Sequence, residues 1–178
     1  FVVKPTFDIK GEGTKVKEMK VKEGFVVSSV SIDQNQAKIT IFRIPDRPGV
    51  AATIFTALGK ENINVDMIVQ NVSKQNYTDV SFTINNTDLD KAYKISKEVG
   101  EKLNAEGVEK DTDICKVSII GVGMMNHPGV AGRMFSAIAK VGANIEMIST
   151  SEIKISCVVR KSDGEKALKE IHKEFIEK

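Results

Sequence analysis

The sequence predicts an α+β protein made of two copies of one β-α-β-β-α-β unit. Three observations point there. The phrase Asp46-Arg47-Pro48-Gly49-Val50-Ala51 returns 80 positions later as Asn126-His127-Pro128-Gly129-Val130-Ala131. The match continues in register through Phe55/Phe135, Ala57/Ala137, Lys60/Lys140, Asn64/Asn144, Met67/Met147 and Ile68/Ile148. Each phrase follows an apolar strand-like run and opens a helix-like run, so the repeat duplicates a structural unit and not merely a turn.

Residues 1–24 are rich in Lys and Gly, with Pro5 and Gly11-Glu12-Gly13 breaking any periodicity, and read as a lead-in segment. Residues 25–32 are apolar and β-branched and predict a strand. The polar turn Asp33-Gln34-Asn35-Gln36 then leads into a second strand over 37–44. After Pro48, the residues Ala51, Ile54, Phe55 and Leu58 recur at the spacing of one buried helical stripe, and Pro48 is tolerated because a first-turn residue needs no intrahelical N–H partner. Residues 64–72 and 77–84 predict two strands joined by the polar loop 73–76. Leu89, Ala92, Ser96, Val99 and Leu103 mark a second helix, and 107–110 a closing edge strand.

The second unit repeats this more tersely. Residues 116–123 predict its first strand, Ala131, Met134, Phe135 and Ile138 its helical stripe, 144–150 and 153–160 two strands, and Leu168, Ile171 and Phe175 a last helix. A fourth strand is missing after that helix. The unplaced strand 25–32 is the candidate to complete the sheet, its loss uncovering the Ile119, Ile155 and Val158 side. The expected division is therefore 1–24 as lead-in, 37–112 as the first domain, and 25–36 together with 113–178 as the second.

Composition narrows the function. The 26 Lys and Arg and 24 Asp and Glu are spread along all 178 residues with a net charge of +2, without the basic stripe that nucleic acid requires. No apolar run approaches the ~18–20 residues that span a bilayer, and no signal-peptide pattern opens the chain, so no membrane partner and a cytoplasmic location are expected. Cys115 and Cys157 sit in strand-like apolar runs and read as buried, reduced thiols. Neither phosphate-binding glycine loop is present, His127 and His172 have no metal-ligand spacing, and no serine stands at a nucleophile elbow. No metal, no cofactor and no catalytic residue are expected in this chain.

Two helix amino termini opened by Pro-Gly remain. Glycine and small residues there let a ligand approach the free N–H groups of the first turn, whose partial positive charge favours a carboxylate. Asp46 beside the first turn can pair with an ammonium, whereas Asn126 at the second is neutral. Asn64 and Asn144 begin the next strands, with Gln70 and Thr150 six residues on. The set suits a zwitterion. A Pro-Gly that merely turns the chain, with Asp46 and Gln70 as solvated polar residues, is the plainer alternative.

These residues carry a resemblance. The repeated D-x-P-G-V-A opening, the stretch Ile63-Asn64-Val65-Asp66-Met67-Ile68-Val69-Gln70-Asn71-Val72-Ser73, and the second-unit runs 117–124 and 144–156 resemble the tandem ACT domains of aspartokinase, over essentially the whole chain. Residues 7–14 are similar to the joint that follows the kinase domain. The resemblance implies two ferredoxin-like βαββαβ ACT domains, with antiparallel sheets and helices on one face. It implies an allosteric regulatory region, either a separate small subunit or the regulatory half of a longer kinase, binding threonine, lysine or both as feedback inhibitors. Effector-site residues carried over by motif are Asp46, Pro48, Gly49, Val50, Ala51, Asn64, Gln70 and Ser73, then Asn126, His127, Pro128, Gly129, Val130, Asn144, Ile145 and Thr150. Implied partners are a second copy of the chain, as a homodimer through ACT pairing, and an aspartokinase catalytic domain or subunit. The family's kinase motifs are absent, so phosphorylation of aspartate is not expected of this chain alone. A purely structural dimerisation module that binds no ligand is the alternative.

Overall fold

The computed structural model describes residues 26–71 and 75–177, together with a short ribbon in which Val2–Val3 pairs antiparallel with Thr14–Lys15. The remainder of the lead-in, Phe25, the loop residues 72–74 and Lys178 lie outside the described residues. No described helix is long and apolar enough to cross a membrane.

The chain runs β1 (Ser29–Asp33), β2 (Gln36–Pro45), α1 (Val50–Lys60), β3 (Val65–Gln70), β4 (Tyr77–Asn85), α2 (Leu89–Lys102), β5 (Gly107–Asp111), β6 (Ile114–Ile120), α3 (Val130–Lys140), β7 (Met147–Thr150), β8 (Lys154–Arg160) and α4 (Lys161–Phe175). Two four-stranded antiparallel sheets result, ordered β3-β4-β2-β5 and β1-β6-β8-β7. Both orders are ferredoxin-like. In the second sheet β1 takes the place that β5 holds in the first, pairing antiparallel with β6 from Ser29 opposite Ile120 to Asp33 opposite Lys116.

Alternation along the strands makes the helix-covered faces apolar. Ala37, Ile39, Ile41, Val80, Phe82 and Ile84 meet Ile54 and Leu58 in the first core. Val117, Ile119, Ile155, Cys157 and Val159 meet Met134, Ile138 and Ile171 in the second. Both cysteines are free and buried, and burial pushes their thiols up to about 11 for Cys115 and about 12 for Cys157, which keeps them protonated. The opposite faces are polar, with Lys38, Thr40 and Ser81 on the first sheet and Lys116, Ser118 and Ser156 on the second. There the units meet through a small apolar cluster of Met67, Ile114, Met147 and Val158. Val158 thus faces the other unit, not the helix side of Ile119 and Ile155, as alternation along β8 requires.

Several element bounds differ from the sequence reading. The strand expected over 25–32 begins only at Ser29, and the one expected over 116–123 ends at Ile120. Both shifts have one cause. At Gly121 the segment before β1 crosses the backbone so closely that a Cβ there would stand 2.2 Å from the Val26 carbonyl oxygen, so pairing stops and a 3-10 turn, Val122–Asn126, follows. The stripe on α1 is Val50, Ile54 and Leu58, with Ala51 half-buried, because the helix starts at Val50 after Gly49. On α4 the buried line is Gly164, Ala167, Ile171 and Phe175, leaving Leu168 half-buried. Gly164 lets that helix approach β6, since a Cβ there would lie 2.4 Å from Cys115 Sγ.

Candidate functional site

The two Pro-Gly turns have the same backbone. Gly49 at φ 94° and Gly129 at φ 93° are the residues before α1 and α3, a left-handed conformation that glycine adopts without steric cost. Neither helix is capped by a side chain. The first-turn N–H groups therefore have no side-chain partner at an end whose partial charge is positive, the Val50 N–H reaching back to the Arg47 carbonyl at 3.4 Å. The Gly49 and Gly129 carbonyls instead accept from Thr53 and Arg133 at 2.9 and 3.0 Å, which fixes both turns.

In the first unit, β2 bulges between Ile41 and Ile44, with Arg43 at φ 47° and its N–H bonded to Asp79 Oδ1 at 2.8 Å. Pairing resumes at Ile44, opposite Thr78, and the Asp46 N–H donates to the Asn76 carbonyl at 2.8 Å. Asp46, Pro48 and Gly49 are exposed, Val50 is buried and Ala51 half-buried. Gln70 opposes Val80 on β4 while Pro45 opposes Tyr77, so Gln70 and the turn share one end of the sheet. Ser73 lies outside the described residues. Asn64 sits at the other end, just before Val65 opposite Ile84, about 20 Å along the strand at its usual rise.

The second turn opens onto a cavity of about 470 Å3 lined by Met124, Met125, His127, Gly129, Thr150 and Glu152 among others. That volume suits a small molecule. His127 Nδ1 lies 2.7 Å from the Gly123 carbonyl, which only accepts, so Nδ1 carries a proton and Nε2 is left to meet a ligand. Thr150, exposed, ends β7 at the same end, opposite Ile155. Asn126 and Pro128 are exposed and Val130 is buried beneath them. Asn144 and Ile145 precede β7 at its far end, so within one chain they are apart from this cavity, as Asn64 is from Asp46.

Glu152 was not singled out from the sequence. It supplies the second unit with a carboxylate that the neutral Asn126 does not. Met124 and Met125 were likewise missed, because a strand was expected to run through 123. The only signal available for Glu152 was its place two residues beyond Thr150.

A family model described as ACT domain matches residues 43–98 and again 117–175. This chain belongs to the ACT-domain family, among the regulatory regions of aspartokinases. A structure of aspartokinase alpha and beta subunits is similar at 42% identity and TM-score 0.79, covering 84% of this chain and 98% of that one. The regulatory subunit of aspartate kinase from Thermus thermophilus, in its ligand-free form, aligns at 39% identity and TM-score 0.80, over 84% of this chain and 99% of that one. The aspartate kinase of Pseudomonas fluorescens is 45% identical over 93% of this chain but only 41% of its own length. The chain thus spans about two fifths of the curated aspartokinases it matches. Each matched segment contains one of the two helix-turn openings.

Proposed function

We propose that this chain is the amino-acid-sensing part of an aspartokinase, binding threonine, lysine or both as end products and biasing the kinase domain or subunit it serves. The observation that carries the reading is the pair of glycine-turned, uncapped helix amino termini, one opening onto a cavity that also presents Thr150, His127 and Glu152. An effector carboxylate would accept from the first-turn N–H groups. Its ammonium would pair with Asp46 in the first unit or Glu152 in the second, and Gln70, Thr150 or His127 Nε2 would meet the side chain. Aspartate phosphorylation would belong to the kinase portion.

Asn64, Asn144 and Ile145 would join such a site only from a second copy laid beside the first. A homodimer through the edge strands β3 and β7 offers that arrangement, and Ile68 and Ile148, at equivalent edge positions, are 51% and 43% exposed. The pairing of β1 with β6 supports the division proposed from the sequence, 37–112 as one domain and 25–36 with 113–178 as the other. An effector that binds one arrangement of the paired units better than the other shifts the population between them, which suffices for feedback inhibition. A thermal-shift screen of the chain against the standard amino acids tests the reading. At 100 times its dissociation constant a specific effector adds about 2.7 kcal/mol, or about 5–10 °C for a chain of this size. No selective shift with threonine or lysine would leave the dimerisation module as the better reading.

A further inference from the structure

The junction of the two units holds a different polar cleft, of about 230 Å3, lined by Asp33, Gln36, Asn64, Asp66, Asn85 and Lys116. It lies at the opposite end of β3 from the Pro-Gly turn and shares Asn64 with the effector residues carried over from the family, but its binding of a cation does not depend on the effector reading. Gln36 is 2% exposed, and its Nε2 donates to Asp33 Oδ2 at 2.8 Å. A carboxylate oxygen accepts, so the amide orientation is fixed and Oε1 is the atom left over. It is buried and has no hydrogen-bond partner among the described residues. Such orphans are rare in folded proteins and call for a donor or a cation.

The charges around it point to a cation. Lys116 is bonded to Asp66 and stands 3.7 Å from Asp33, so two carboxylates face one ammonium. Burial alone would raise the Asp33 carboxyl, but the Asn35 N–H, the Gln36 amide and Lys116 together hold it below its ordinary value, and it stays ionised. The side-chain amides of Asn64 and Asn85 add further oxygens. Among the described residues no group of three or more His, Cys, Asp or Glu is disposed to hold a metal ion, which leaves divalent and transition metals without their usual ligands.

We propose that this cleft binds a compact monovalent cation, potassium, sodium or ammonium, through Gln36 Oε1 and the neighbouring carboxylate and amide oxygens. Asp33 and Lys116 come from the second sheet and Gln36, Asn64, Asp66 and Asn85 from the first unit, so the bound cation ties the two units together.

The test compares the melting temperature of the chain in potassium, sodium, ammonium and N-methylglucamine chlorides at equal ionic strength. A saturable rise with at least one small cation, absent with N-methylglucamine and lost in Gln36→Met, is expected. Because Gln36 is buried and its variant can fail to fold, exposed Asn64→Ala is the second arm. Titration of 15N-ammonium followed by NMR should show a bound signal displaced by potassium, with affinity at least about tenfold weaker in Asn64→Ala. Equal melting temperatures in all four salts would mean that the cleft holds water only. A rise unchanged in the variants would place the ion elsewhere, and either result overturns the proposal.

Discussion

Lys116 on β6 of the second sheet forms an ion pair with Asp66 on β3 of the first, and the relation recurs with the units exchanged, Lys38 on β2 pairing with Glu146 beside β7. Asp66 and Glu146 are themselves repeat partners, 80 positions apart. The interface therefore has an approximate twofold character. Arg160 extends it, reaching Glu146 through Nε and Asp111 through a terminal nitrogen, each at 2.7 Å. Among the described residues its apolar centre is small, Met67, Ile114, Met147 and Val158 with Val69 packed against them, so charge holds a substantial part of this contact. Such an interface can shift between arrangements at modest cost, which regulation by rigid-body movement requires.

The charges make stability depend on pH. Burial would raise the Asp111 carboxyl, but the Asp113 N–H, Arg160 and Lys38 outweigh it and hold the group below its ordinary value of 3.8. A lowered folded-state pKa contributes stability that is present above about 3.8 and is lost as pH falls through the folded value. Urea midpoints measured from pH 7 to pH 3 should fall more steeply below pH 4 for the parent chain than for Asp111→Asn. Parallel curves would show that the network adds nothing to folding.

Gly121→Ala probes the crossing of the segment before β1. The added Cβ would meet the Val26 carbonyl at 2.2 Å and Val27 Cα at 2.7 Å, both backbone atoms that cannot swing aside. We expect a loss of about 1–3 kcal/mol, the range for overpacking. Amide exchange should report it first across β6 and β8, with β2 and β4 retaining more protection. Deleting residues 1–36 should act the same way and more strongly. Loss confined to the first sheet would contradict the proposed division.

Each Pro-Gly turn depends on its glycine. Alanine at Gly49 or Gly129, where φ is 94° and 93°, should cost about 1–2 kcal/mol through the left-handed conformation alone, with open space around each Cβ. Chemical denaturation measures it. No loss at either position would mean that the turn relaxes to a negative φ.

Much of this fold was legible because repetition fixes what one copy leaves ambiguous. The phrase at Asp46 and Asn126 located both helix openings, and the absence of a strand after Phe175 pointed to the one before Asp33. What escaped depends on distant contacts. Nothing local reveals that Val26 crosses Gly121, so residues 121–123 were read as the end of a strand, and the 3-10 turn that carries Met124 and Met125 to the cavity wall was not foreseen. Asn64 was legible as a polar strand opening but not as part of the cleft with Gln36 and Lys116, since residues from both units assemble it. Leu168 illustrates the same limit, because helical spacing cannot foresee that Gly164 and Cys115 tilt the buried line of α4.

The ammonium can be assigned by substitution. Asp46→Ala should weaken effector binding by about 1–3 kcal/mol if the first unit holds it, the usual worth of a charge-assisted hydrogen bond, while Asn126→Ala changes little. Glu152→Gln reports on the second unit in the same assay. A larger loss at Asn126 or Glu152 than at Asp46 would move the ammonium to the second turn.

The most direct test of the central claim is calorimetric titration of the chain with threonine and with lysine, using leucine as the control. A saturable heat with one or both pathway amino acids, and none with leucine, is the predicted result. Absence of heat with both, or the same weak heat with all three, would contradict the assignment of these turns as effector sites.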